Sequence, residues 1–256
     1  MGTRRPLREV EAYGPAPRQV GEWFLPPGDR LPLVVLVHGG FWRPAYDRHL
    51  MDPLAGLLAA GGVAVWNLEY AAADAPWPRT LQDAAAGLDH VAESPATARL
   101  ALDRVAVVGH SAGGHLALWL ASRAALPAAD VGAEPRVRPA LCVAQAPVAD
   151  LVTAAREGVG NGAVEALMDG GPDDVPGRYR AGSPQALLPV PGVRVTLVHG
   201  DADEDVPVSQ STGYAEAAHA AGMDVRLEVL RGVGHYEHLE VGSPAVAALL
   251  RALQDL

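Results

Sequence analysis

The sequence predicts an α/β protein built on a mostly parallel central sheet with helices on both faces. Three observations predict it. Short apolar runs recur along the chain, as in Leu33-Val34-Val35-Leu36-Val37 and Val105-Ala106-Val107-Val108, and such runs suit strands buried on both faces. Stretches with helical apolar spacing alternate with them, so successive strands need right-handed crossovers and come out parallel. Two of the runs end in glycine-bearing turns, His38-Gly39-Gly40 and Gly109-His110-Ser111, where a strand hands over to a loop or a helix.

In chain order, Gln19 to Leu25 reads as an early strand stopped by Pro26-Pro27-Gly28. Leu33 to Val37 is the first strongly buried strand. Leu50 to Ala60 has a short helical pattern, closed by Gly61-Gly62 as a C-cap. Val63 to Trp66 is the second buried strand, and Thr80 to Val91 a helix with Asp83 in its first turns. Val105 to Val108 and Leu141 to Ala144 are the third and fourth, with a helix from Ser111 to Ala124 between them. Val193 to Val198 is the fifth strand, Val208 to Ala221 a helix, Val225 to Leu230 the sixth strand, and Ala245 to Leu253 the closing helix. Pro147 to Pro191 breaks the alternation with scattered Gly and Pro and one weak helix around Ala163 to Met168. It is too short for a core of its own, so residues 1–256 read as a single domain with a small irregular cap over 147–191.

At 256 residues, 49% apolar and 20% charged, the chain can fill such a core. Acidic residues outnumber basic ones 30 to 20, for a net charge of −10, which disfavours nucleic acid and anionic membrane surfaces. Every basic residue is Arg and there is no Lys. That excludes a lysine Schiff base, a P-loop lysine and a Ser-Lys dyad. The single cysteine, Cys142, allows no internal disulfide and no Cys-rich metal site, and within a strand run it reads as an inert core thiol. The opening residues include Arg4, Arg5, Arg8, Glu9 and Glu11 with no apolar segment, so no secretory signal is visible and a cytoplasmic location is expected. No apolar run reaches the ~18 residues of a membrane span.

Four signals carry chemistry. Gly109-His110-Ser111-Ala112-Gly113 is a G-x-S-x-G that follows a buried strand and opens a helix, the context in which a serine sits on a strained turn with its hydroxyl exposed. A Cβ at either flanking glycine would crowd the neighbouring strand or helix. His38-Gly39-Gly40-Phe41-Trp42 ends the first strongly buried strand, where backbone N–H groups can turn toward a ligand. Gly40 and Phe41 are the expected loop donors of an oxyanion hole, with the Ala112 N–H as the third. Asp201, Asp203, Glu204 and Asp205 follow the fifth strand, where one carboxylate can orient a histidine; the residues alone do not choose among the four. Gly234-His235-Tyr236-Glu237-His238 follows the last strand, and His235 is favoured over His238 as the base. The His235/His238 pair has no third ligand suitably spaced, and no H-E-x-x-H occurs, so no metal is expected. His38 and His115 read as packed, hydrogen-bonded side chains. Trp42, Trp66 and Trp77 could be core, but Trp42 beside the loop could equally wall an acyl pocket, and Tyr70 and His110 complete the expected substrate contacts.

With these signals in the order Ser, Asp, His, the sequence resembles the α/β-hydrolase superfamily from about Leu33 to Leu239. His38 to Trp42 and Gly109-His110-Ser111-Ala112-Gly113-Gly114-His115 resemble the kynurenine formamidase and esterase branch. Asn67-Leu68-Glu69-Tyr70, then Trp77-Pro78 and Gln82-Asp83, are similar to the strand-to-helix link of those esterases. His199-Gly200-Asp201-Ala202-Asp203 with Val206-Pro207 resembles the prolyl-oligopeptidase-like pattern, in which the acid sits four residues after the histidine. The resemblance thus selects Asp203 and implies Ser111 as nucleophile, His235 as base and Asp203 as its orienter. Two departures stand out. Relatives often carry Tyr-Arg where this chain has Tyr70-Ala71, so the matching arginine contact is expected to be missing. Phe41 replaces a third glycine, which narrows the acyl side. The expected activity is hydrolysis of a small-molecule ester or amide, a small carboxylic ester or an aryl formamide, through an acyl-enzyme without metal or organic cofactor. The rival readings are a non-catalytic ligand-binding domain on the same fold and a small peptidase or amidase. A homodimer is left open.

Overall fold

The computed structural model describes residues 6–254 and 256; Arg4 and Arg5, which entered the sequence reading, lie outside them. Eight strands form one sheet: β1 (Leu7–Ala12), β2 (Val20–Leu25), β3 (Leu31–Val37), β4 (Ala64–Leu68), β5 (Leu100–His110), β6 (Leu141–Gln145), β7 (Arg194–Gly200) and β8 (Val225–Leu230), in the spatial order β1-β2-β4-β3-β5-β6-β7-β8. From β4 to β8 every pairing is parallel; β1 and β2 extend the sheet antiparallel. The helices are α1 (Asp52–Ala60), α2 (Arg79–His90), α3 (Ala112–Ser122), α4 (Leu151–Arg156), α5 (Ala163–Met168), α6 (Pro176–Gly182), α7 (Ser209–Ala220) and α8 (Pro244–Ala252).

Period-two alternation divides the core into two layers. Leu33, Val35 and Val37 of β3 join Val105, Val107, Leu81, Leu88 and Leu116 on the side of α2, α3 and α7. Val34 and Leu36 join Ala106, Val108, Leu54, Leu58, Val246 and Leu249 on the side of α1 and α8. The middle strands are therefore apolar at every position because both faces are covered. Between the antiparallel pair β2 and β4, Trp23 stands opposite Trp66 with ring centroids 4.6 Å apart.

Two features differ from the sequence expectation. Strand β1 is charged at Arg8, Glu9 and Glu11 and exposed along nearly its whole length. A solvent-facing edge strand has no apolar run to announce it. The excursion over 147–191 is more ordered than an irregular cap, because α4, α5 and α6 all lie in it. Asp150 caps α4 by accepting from the Val152 and Thr153 amides. The excursion is tied to α3 by His115 Nε2, 2.9 Å from the Gly182 carbonyl, and by the Trp119 indole, which donates to the Ala181 carbonyl at 2.9 Å. Among the described residues no helix is long and apolar enough to cross a membrane.

Candidate active site

Ser111 sits between the end of β5 and the first residue of α3, with φ 58° and ψ −123°. This left-handed conformation costs a side-chain-bearing residue about 1–3 kcal/mol, and packing holds it. A Cβ on Gly109 would run into the Gly113 carbonyl, and one on Gly113 into the Val37 carbonyl of β3. Both glycines are thus required by close approach, as the motif suggested. The Ser111 amide donates to the Gln145 carbonyl of β6 at 2.8 Å, fixing the turn to the neighbouring strand. The Ala112 amide lies in the first turn of α3, among those with no intrahelical acceptor, where the helix end favours negative charge.

The loop after β3 runs against this turn, and a Cβ on Gly39 would stand 3.0 Å from the Ser111 Cβ. Gly40, Phe41 and Trp42 all have positive φ, at 104°, 50° and 53°. Glu69, the residue after β4, anchors the loop. Its Oε1 lies 3.1 Å from His38 Nε2 and accepts from Arg18 Nη2 at 2.8 Å, while Oε2 accepts from the Arg48 amide at 3.0 Å. Burial alone would raise the Glu69 pKa, but His38, the Arg48 amide and Arg18 reverse that and bring it down to about 2. Arg18, from the β1–β2 loop, also donates to the Tyr70 carbonyl at 3.0 Å and the Tyr46 carbonyl at 2.6 Å.

His235 and Asp203 meet across the loops that follow β8 and β7. His235 Nδ1 lies 2.6 Å from Asp203 Oδ2, so Nδ1 carries a proton, and in the neutral ring Nε2 is the acceptor. The Asp203 side chain has no solvent exposure. Its Oδ1 accepts from the amides of Asp205 and Val206 at 2.9 and 2.8 Å, and His199 Nε2 stands 3.3 Å from Oδ2. Burial opposes ionisation, yet the hydrogen bonds from His199, His235 and the Val206 amide outweigh it and hold the carboxyl well below the usual range. His199 is itself set by Ser211, whose hydroxyl stands 2.7 Å from Nδ1. His238, the alternative base, is fully buried with Nδ1 3.3 Å from Gln145 Nε2. Burial and the nearby His199 and His235 bring its pKa down to about 3.

Ser111, His235, His110, Gly40 and Phe41 line one cavity of about 70 Å³, together with Tyr46, Leu50, Tyr236 and Leu239. A larger cleft of about 490 Å³, between residues 16–18 and 71–83, shares no lining residue with it. Two expected substrate contacts are displaced from the Ser111 cavity. Trp42 is buried and packs edge-on against His115 at 5.1 Å. Tyr70 stacks on His38 and donates its hydroxyl to the His38 carbonyl at 2.7 Å. Both stand behind the loop and shape it from within. Tyr46, Tyr236, Leu50 and Leu239 are site residues that the sequence does not single out, because nothing local distinguishes them from ordinary surface and helix positions. Glu69 did carry a signal: a carboxylate directly after an apolar strand. Cys142 is buried, and burial pushes its thiol far up, which leaves it unreactive. Asp203, Asp205 and His235 hold ligand atoms within 4.8 Å of one another, as do Glu22, His49 and Asp52, but Asp203 and His235 are already engaged with each other.

Comparison with known proteins agrees with this architecture. The chain is similar to the esterase LipQ of Mycobacterium tuberculosis (29% identity over 223 residues, 82% of this chain and 52% of LipQ). It is also similar to the carboxylesterase NlhH of the same organism (38% over 112 residues, 43% of this chain and 33% of NlhH). The chain thus spans about half the length of LipQ and a third of NlhH. Among solved structures, a truncated carbohydrate esterase from gut microbiota superposes with a TM-score of 0.83 at 17% identity, covering 100% of this chain and 98% of that one. Esterase B from Lactobacillus rhamnosis gives 0.83 at 21%, covering 99% and 87%. Both likenesses show the α/β-hydrolase fold. The BD-FAE family model matches residues 24–217, and the chain belongs to that family.

Proposed function

We propose that the protein is a serine hydrolase of small carboxylic esters. The observation that carries this is the 2.6 Å hydrogen bond that His235 donates to buried Asp203, with His235 sharing a cavity with a serine on a strained strand-to-helix turn. Asp203 holds the Nδ1–H tautomer of His235 and stabilises the imidazolium that forms. His235 Nε2 takes the Ser111 proton as Oγ attacks the ester carbonyl. The amides of Gly40, Phe41 and Ala112 receive the oxyanion, each such donor being worth about 3 kcal/mol of barrier. The alcohol leaves with the proton from His235, and water activated by the same nitrogen cleaves the acyl-enzyme. The esterase names of LipQ and NlhH support the same class.

Aryl formamides are a second reading, favoured by Phe41, Tyr46 and Tyr236 around the cavity. The test is turnover of p-nitrophenyl acetate and of N-formylkynurenine by wild type and Ser111→Ala. Ester cleavage that falls at least about 10³-fold in Ser111→Ala, with an acyl adduct on Ser111 in the intact mass, is the expected result. Serine-dependent deformylation as fast as ester cleavage moves the substrate to the formamide, and turnover retained in Ser111→Ala overturns the mechanism.

A further inference from the structure

His110 lines the Ser111 cavity, yet its side-chain hydrogen bond goes to the base loop. It ends β5, one peptide bond before Ser111, and is almost fully buried. Its Nε2 lies 2.9 Å from the backbone carbonyl of His235, 125 positions along the chain. A carbonyl only accepts, so Nε2 carries the proton. Nδ1 has no partner among the described residues, so a second proton there would be a buried, uncompensated charge. The ring also packs on its neighbours, with centroids 4.6 Å from His235 and 5.6 Å from His238.

The rest of the base loop is pinned on both sides of this bond. Upstream, the Ala202 amide donates to the Val233 carbonyl and the Gly232 amide to Asp201 Oδ1. Downstream, the Ser243 hydroxyl donates to the Glu237 carbonyl. Of these ties, only the one from His110 reaches His235 itself, and its other end is covalently adjacent to Ser111.

Resting on the serine-hydrolase reading, we propose that His110 is a positioning residue: a fixed Nε2–H donor that sets the backbone of the base against that of the nucleophile. It acts through His235 and contacts no reacting atom. Small displacements of a reacting group cost on the order of 10²-fold in rate, so the bond governs kcat while substrate affinity is left alone.

The test combines two His110 variants, assayed with p-nitrophenyl acetate, with a spectroscopic measurement on the unaltered protein. His110→Leu fills the space without a donor and is expected to lower kcat about 30- to 100-fold with KM changed less than about twofold. His110→Gln, whose side-chain amide nitrogen takes the place of Nε2, is expected to restore kcat to within about fivefold of wild type. Equal losses in the two variants, or a loss confined to KM, make His110 a structural or substrate-contacting residue and overturn the proposal. In wild type, ¹⁵N NMR of labelled histidine at neutral pH should show a protonated Nε2 and a bare Nδ1 for His110; the opposite tautomer overturns it whatever the variants do. Turnover surviving Ser111→Ala sinks the serine-hydrolase reading itself, whereas serine-dependent turnover unchanged in His110→Leu sinks the positioning role alone.

Discussion

Asp203 gathers donors from three directions. The Asp205 and Val206 amides come from its own loop, His199 from the end of β7, and His235 from the loop after β8. The amides on Oδ1 leave Oδ2 facing the two histidines, so the carboxylate has one orientation and one tautomer to impose. Asp203→Asn keeps the shape, but its amide can present a donor to His235 Nδ1. It is expected to lower kcat by about 10³–10⁴-fold, while Asp205→Asn stays within about tenfold because the hydrogen bond to His235 Nδ1 is made by Asp203. Comparable kcat values for the two would show that the wrong acid had been assigned. Four acids in five residues looked alike in sequence because what separates them is which one the Val206 turn points inward. Trp42 and Tyr70 were misplaced for a related reason. Adjacency to a loop gives proximity, while the three left-handed residues at 40–42 decide which side faces the cavity.

At the scale of elements, the loop after β3 owes its form to Glu69, which joins it to β4 and to the β1–β2 loop through Arg18. Because folding lowers the Glu69 pKa from 4.5 to about 2, the folded state gains stability that is fully present above pH 4.5 and lost as pH falls toward 2. The shift corresponds to about 3 kcal/mol. Wild type should therefore lose stability between about pH 4.5 and 2, and Glu69→Gln should flatten that part of a urea-unfolding series while lowering stability at neutral pH. An unchanged acid limb in Glu69→Gln would remove Glu69 from this role. The buried strands were legible because covered faces demand uninterrupted apolar runs, and α2, α3 and α7 because each is long enough to show its period. The helices α4 and α6 escaped notice, being six or seven residues long and set among Gly and Pro. They hold their shape by docking, as the bonds from His115 and Trp119 to the end of α6 illustrate.

Across the whole molecule, the sheet ends at β1, where Leu7 and Val10 are each 53% exposed. Arg8 and Glu9 keep that open edge charged, which discourages strand addition from another chain. Glu9→Val is expected to raise light scattering on concentration while kcat/KM of the soluble fraction stays at the wild-type value; a variant as soluble as wild type would show that the edge needs no such guard. The site, by contrast, draws on loops after β3, β5, β7 and β8, so its parts lie as far apart in sequence as Gly40 and His235. A fragment that lacks any of these four loops lacks part of the site, and contacts of such long sequence separation close slowly. The proposed hydrolysis is thus expected to report on completed sheet register. On dilution from urea it should return last, after the intrinsic tryptophan fluorescence, which includes the Trp23–Trp66 pair packed between β2, β4 and α2. In that sense the proposed reaction is expected to time the final step of its own protein's folding.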